Sequence, residues 1–161
     1  MTKKYASRTT IILAVLILLG SYYMFSRITR QIPFECPEII INYNGKSIPT
    51  SLGDHNWIPK SGGSSYETEG EYAVGKKTPK FIAKSGDIVN ISIQTMQLKP
   101  KSMVIEQIKD VNKYKEYKTF AGAKEYELTL PIEKGEYIFS VCANWDDDDH
   151  NTSTIFQVEI E

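Results

Sequence analysis

From Thr9 to Ser26 the chain reads TTIILAVLILLGSYYMFS, without one charged side chain. Written as a helix, this run spans about 27 Å, close to the ~30 Å hydrocarbon thickness of a bilayer. Basic residues fence it, with Lys3, Lys4 and Arg8 before it and Arg27 and Arg30 after it. Tyr22 and Tyr23 lie near one end, where amphipathic rings suit the membrane interface. A cleaved signal peptide starts in the same way, but Tyr22 to Phe25 are bulky and offer no small-residue cleavage site. Cys36 follows Phe34 and Glu35 instead of small residues, which argues against a lipoprotein signal. The run is therefore expected to stay as an anchor. Its heavier basic flank is N-terminal, which predicts a cytoplasmic N-terminus. The expected organisation at the cell membrane is a cytoplasmic N-terminus over 1–8, a transmembrane helix over 9–26, a linker over 27–37 and an extracytoplasmic β-sandwich domain over 38–161.

Beyond the anchor, the composition is that of a globular domain: 41% of the chain is apolar and 24% charged. The charge is unevenly placed. All 20 acidic residues lie beyond Gln31, together with fourteen lysines, so the domain is mildly acidic. That balance argues against nucleic acid as a partner, because neutralising phosphates needs clustered lysine and arginine.

Pro33 and Pro37 oppose a helix in the linker. From Glu38 onward, short apolar runs alternate with turn residues. Glu38–Tyr43 reads as a strand closed by an Asn44-Gly45 turn. Ser47–Trp57 reads as a second, irregular strand and Ile58–Gly70 as a loop. Tyr72–Val74 and Lys80–Ala83 are short extended pieces. In Asp87–Thr95, Val89, Ile91 and Ile93 alternate with polar residues, as in a half-buried strand. Ser102–Ile108 is the next strand, and the polar stretch Lys109–Lys124 fits no pattern. Lys124–Leu130 alternates again, with Tyr126, Leu128 and Leu130 on one face. The clearest strand is Gly135–Trp145. It predicts Tyr137, Phe139, Val141, Ala143 and Trp145 inside, with Ser140 and Cys142 on the outer face. Thr152–Ile160 closes the chain. No amphipathic helical stretch of useful length follows Ser26.

Seven or eight short strands with Gly, Pro and Asn turns predict an all-β, antiparallel sandwich preceded by one transmembrane helix. Leu130 to Val141 refines this to an immunoglobulin-like or fibronectin-like sandwich. A Pro/Gly turn there leads into Tyr137, the pattern of a tyrosine corner, whose hydroxyl bonds back to upstream backbone.

Four short motifs carry a resemblance. They are Gly53-Asp54-His55-Asn56-Trp57, the G-D-x-V-x-I strand over Gly86–Ile91, the Lys99-Pro100 pair, and the segment Gly135 to Trp145. On these the chain resembles small exported or membrane-anchored Ig-like proteins of Bacillus and related Gram-positive bacteria. The resemblance implies the same fold and an envelope location, and it implies no reaction. Many such proteins carry a cysteine beside the first tryptophan, and some carry a lipobox. This chain has Asn56 and no lipobox, so neither the disulfide nor the lipid anchor carries over.

The sequence offers little for catalysis. His55 and His150 are far apart, and no nucleophile elbow, zinc-protease pair or phosphate-binding loop is present. No enzyme is expected, and replacing either histidine is expected to be tolerated. The run Asp146-Asp147-Asp148-Asp149-His150 is the conspicuous cluster. Asp146, Asp148 and His150 are candidate metal ligands, with Ca²⁺ the ion that suits carboxylate oxygens. The spacing is not that of an EF-hand, and a solvated hairpin tip is the plainer reading of the run. Cys36 and Cys142 form an even pair in an oxidising compartment, which leaves three readings open: a disulfide between them, two free thiols, or an intermolecular bond. Trp57 and Trp145 are expected in the core. Lys113, Lys115 and Lys118, interleaved with Tyr114 and Tyr117, could touch anionic wall polymers, but Asp110 and Glu116 dilute the patch and a solvated loop is the better reading. The leading functional expectation is a membrane-anchored binding or interaction module whose partner is an envelope protein or wall polymer. The alternative is a metal-binding or thiol-redox envelope protein using the Asp146–His150 loop or the two cysteines.

Overall fold

The computed structural model describes residues 8–58, 63–111, 113–121, 126–145 and 149–161. Helix α1 runs over Arg8–Ile28. Over Thr10–Ile28 it is long and apolar enough to cross a membrane, and that stretch is not buried in the fold. The strands are β1 Ile39–Tyr43, β2 Lys46–Ser47, β3 Ser51–Trp57, β4 Ser64–Tyr66, β5 Phe81–Ala83, β6 Ile88–Ile93, β7 Ser102–Asp110, β8 Lys113–Ala121, β9 Tyr126–Thr129, β10 Gly135–Asn144 and β11 His150–Ile160. A second, short helix, α2, covers Glu71–Lys77.

The strands form two sheets. The smaller has the order β2-β1-β6-β9 and is antiparallel throughout. The larger has the order β4-β3-β11-β10-β7-β8, again antiparallel, with β5 added in parallel against β11. Their facing sides share one hydrophobic cluster. Ile39, Ile41, Val89, Ile91 and Leu128 come from the smaller sheet, and Ile105, Phe139, Val141, Phe156 and Val158 from the larger.

Local chemistry explains the best-read strands. Asn44 and Gly45 both have positive φ, 49° and 74°, as the turn between β1 and β2 requires. Val89, Ile91 and Ile93 are buried while Ile88, Asn90 and Ser92 are exposed, which is the alternation expected of β6. Gly86, at φ 74°, sits in the turn before β6, which the Asp87 amide closes onto the Lys84 carbonyl at 3.1 Å. The Asp87 carboxylate closes that turn by accepting the Lys84 amide at 3.0 Å and the Tyr43 hydroxyl at 2.5 Å. The G-D pair of the second motif thus has a structural job.

Several expectations are corrected. Ser47–Trp57 is not one strand. Its first part belongs to the smaller sheet and Ser51–Trp57 to the larger, with Pro49 lying where the chain changes sheets. The loop after Trp57 contains a short edge strand, β4. Lys113–Ala121, in the stretch without a pattern, is a full strand paired with β7. Tyr72–Val74 is helical.

That last difference changes the outer face of the larger sheet. EYAVGKK is two turns long and would be marginal as a helix alone. It forms because Tyr72 and Val74 pack on a second small core of Ile108, Ile138 and Ile155. Gly75 allows the close approach: a Cβ there would sit 2.3 Å from Ile138 Cγ2. Buried Gln157, its amide nitrogen turned toward the helix, donates to the carbonyls of Gly75 at 3.1 Å and Thr78 at 3.2 Å. Ser140 is therefore not on a solvent face. It is 2% exposed, against 0% for Phe139 on the core side.

The Gly53–Trp57 motif depends on an irregularity. In a regular strand, residues four apart share a face. The pairing of β3 with β11 shifts between Thr152 and Thr154, which re-phases β3. Gly53 consequently faces α2, where a Cβ would meet Ser153 Oγ at 2.2 Å, while Trp57 enters the main core. Trp57 and Trp145 are both buried there, edge to face, with centroids 5.0 Å apart.

Candidate functional site

The far end of the sheets from α1 carries a cleft of about 570 Å³. Met103 and Ile105 of β7 face the core, and Gln107 and Lys109 continue that face into the cleft. Lys115 of β8 is the cross-strand partner of Gln107. A β-bulge opposite Ile105 and Glu106 leaves Tyr117 as the extra residue of β8. Its ring packs edge-on against Phe139, with centroids 5.2 Å apart. Tyr137 stacks on the same Phe139 at 6.3 Å and forms another wall. The Tyr137 hydroxyl donates to the Glu133 carbonyl at 2.9 Å, the bond back to upstream backbone expected of a tyrosine corner. The β9–β10 turn completes the cleft with Pro131, Glu133 and Ile132, whose side chain is 80% exposed.

The electrostatics run against those of the domain. In a net acidic domain, three lysines and one glutamate line this cleft. Lys118 Nζ donates to the Glu127 carbonyl at 2.6 Å, which ties β8 to β9. Lys109 and Lys115 make no ion pair among the described residues. Burial holds the Tyr117 phenol above its ordinary pKa, so it stays a neutral donor. Chemically, the cleft offers ammonium groups beside aromatic and aliphatic surface, which suits an extended anionic chain with an apolar or sugar-like backbone.

Of the lysines and tyrosines noted in the sequence, Lys115, Lys118 and Tyr117 meet here. Lys113 instead pairs with Asp110 at 3.5 Å, and Tyr114 stands across from Ile108 on the side of α2. Lys109, Ile132 and Tyr137 were not read as part of the patch. They come from β7, the β9–β10 turn and β10, and only the pairing of these elements brings them in.

The other expected sites separate. Asp146 and Asp148 lie outside the described residues. His150 begins β11 and sets its ring edge-on to Trp57, with centroids 5.0 Å apart. Among the described residues, no group of three or more His, Cys, Asp or Glu side chains is placed to hold a metal. Cys36 and Cys142 are both free thiols, so the candidate bond between them is not formed in this structure. The reason is topological. Cys36 packs on the main core and bonds Thr152, on the inner face of β11. Cys142 lies beside Ser153, whose hydroxyl points to α2 on the outer face. Burial pushes the Cys142 thiol up to about 11, so it is protonated at physiological pH.

A buried polar cluster went unread. Glu71 Oε1, at the start of α2, accepts from Ser140 Oγ and Ser153 Oγ, each at 2.9 Å. Burial raises the Glu71 pKa, the two serine hydroxyls oppose the shift, and Asp54 and Glu106 add to it. A carboxyl group with a raised folded-state pKa contributes most to stability in acid, and that contribution is lost as pH rises through the folded pKa. Glu71→Gln retains an oxygen for both serines and cannot ionise. Its stability relative to wild type is expected to increase as pH rises above the ordinary carboxylate range, and to level off once Glu71 has ionised in the folded state. Parallel denaturation midpoints across that rise in pH would contradict a perturbed Glu71. No family model matches the chain and no curated protein matches it, so the cleft is read from its own geometry.

Proposed function

We propose that this chain is a single-pass membrane protein holding an immunoglobulin-like sandwich outside the cytoplasm. In this reading the domain is a binding module, not an enzyme, and its membrane-distal cleft takes an anionic polymer of the cell envelope. The observation that carries the reading is the grouping of Lys109, Lys115 and Lys118 with Tyr117, Tyr137 and exposed Ile132 in an otherwise acidic domain. Placement supports it. Leu98 accepts the Trp145 indole just past β10 and donates to Gln31 just past α1, whereas Tyr137 opens the other end of β10. Ten residues of strand separate the two ends by about 30 Å. An anchor at one end and a basic cleft at the other present the ligand site away from the bilayer.

The test is binding of polyglycerol phosphate to the full chain in neutral detergent micelles. Lys109→Glu with Lys115→Glu is expected to weaken binding about tenfold or more, since each lost contact is worth ~0.5–1 kcal/mol and each new carboxylate repels. Lys99→Glu with Lys101→Glu, the same charge change at the α1 end, should leave affinity within about twofold. Equal losses in the two pairs would mean that net charge, and not the cleft, governs binding.

A further inference from the structure

The segment between α1 and β1 is docked, although the sequence reads as a linker. Pro33 and Pro37 are buried, and Ile32 and Cys36 pack on the main core. Both motif tryptophans hold this region. Trp57 Nε1 donates to the Pro33 carbonyl at 3.3 Å, and Trp145 Nε1 donates to the Leu98 carbonyl at 2.6 Å. The 94–101 loop is tied in turn to the helix end: Leu98 N donates to Gln31 O at 3.0 Å, and Phe34 N donates to Gln97 Oε1 at 3.2 Å. The segment after α1 is therefore held to the domain by hydrogen bonds that pair Trp57 with Pro33, Leu98 with Gln31, and Gln97 with both Phe34 and Ile32, and by buried apolar contacts.

This fixes which surface faces the membrane. A groove of about 560 Å³ lies between the last turn of α1 and the base of the domain, lined by Phe25, Ile28, Pro33, Phe34 and Met96 among others. Phe34 is 62% exposed and Met96 85%, and the groove brings apolar residues of α1, Phe25 and Ile28, together with these apolar residues of the domain base. Large exposed apolar groups in continuity with a membrane-spanning surface need a cover. Arg27, Arg30, Lys99 and Lys101 lie in the two segments that build this base, against Glu35 and Glu38 in the groove. Basic groups beside an apolar base match phospholipid phosphates above acyl chains.

We propose that the domain is seated on the bilayer, with Phe34 and Met96 at the acyl–headgroup boundary and a phospholipid chain filling the groove. The proposal rests on α1 spanning that bilayer. The test uses the full chain in phosphatidylcholine vesicles with Cys36→Ser and Cys142→Ser, and one reporter cysteine carrying an environment-sensitive fluorophore. The reporter is Leu18→Cys in α1, Met96→Cys at the base or Ile132→Cys at the distal turn, all exposed positions. Vesicles containing spin-labelled lipid should quench roughly half or more of the emission at positions 18 and 96, and leave position 132 unchanged. Quenching at 18 with position 96 behaving like 132 would overturn the seating while leaving the span intact. No quenching at 18 would overturn the span and the seating together.

Discussion

Phe139→Ala is expected to cost about 3–5 kcal/mol, a large part of the ~5–15 kcal/mol that holds a typical domain folded. Phe139 is 0% exposed in the main core, and three aromatic rings, Tyr117, Tyr137 and Phe156, pack on it. No single neighbour can fill the space its ring leaves, so a cavity term adds to the lost burial. The adjacent residue gives the contrast. From the alternation alone, Ser140→Ala should behave like a surface change, within about 0.5 kcal/mol. In the structure Ser140 is buried and donates to Glu71, so its loss is expected to cost about 1–3 kcal/mol. The order of the two effects tests register, because a slip of one residue exchanges the faces. Denaturation midpoints that fall more for Ser140→Ala than for Phe139→Ala would contradict the placement of β10.

Gly75→Ala is expected to destabilise the fold by about 1–3 kcal/mol, although alanine is the better helix former. Two effects compete. Propensity favours alanine by roughly 1 kcal/mol in an exposed helix interior. Against that, the new methyl would lie 2.3 Å from Ile138 Cγ2 and 3.3 Å from Ile155 Cγ2, on β-branched side chains fixed in a packed layer. The helix would have to lift, loosening the Glu71–Ser140 and Glu71–Ser153 bonds with it. The steric term therefore wins. A rise in midpoint for Gly75→Ala would mean that α2 stands farther from the sheet than the structure places it.

How far the sequence could be read depended on whether a feature is local. The β6 and β10 alternations survive into the fold because period two is set by the pleat itself. The Tyr137–Glu133 bond and the Asn44-Gly45 turn were also legible, since each spans only a few residues. What failed required distant partners. Within EYAVGKK the only helix signals are Glu71 at the start and Lys76 and Lys77 at the end, too little to nucleate so short a helix alone. Ile108, Ile138 and Ile155 supply the rest, from three different strands. The covered face of β10 followed from the same omission. The bulge that turns Gly53 one way and Trp57 the other shows in the β3 sequence only as irregularity around an interior glycine, because its place is defined by pairing with β11. The state of Cys36 and Cys142 stayed open in the sequence because counting cysteines says nothing of which face of a sheet each one occupies.

The cleft was half legible for the same reason. Lys115, Tyr117 and Lys118 sit close together in sequence and were noted as one stretch, but Lys109, Ile132 and Tyr137 join them through the β7–β8 and β7–β10 pairings. Ile132 sits in the turn held by the tyrosine-corner bond, so the corner shapes the cleft as well as closing the core.

The central claim, that this cleft is the ligand site, is tested most directly by mapping where a ligand lands. Isotope-labelled full-length chain in micelles, titrated with short glycerol-phosphate oligomers, should show amide shifts at Gln107, Lys109, Lys115, Tyr117 and Ile132, with Thr95 to Leu98 at the α1 end unmoved. Shifts confined to the α1 end, or none at saturating oligomer, would contradict it.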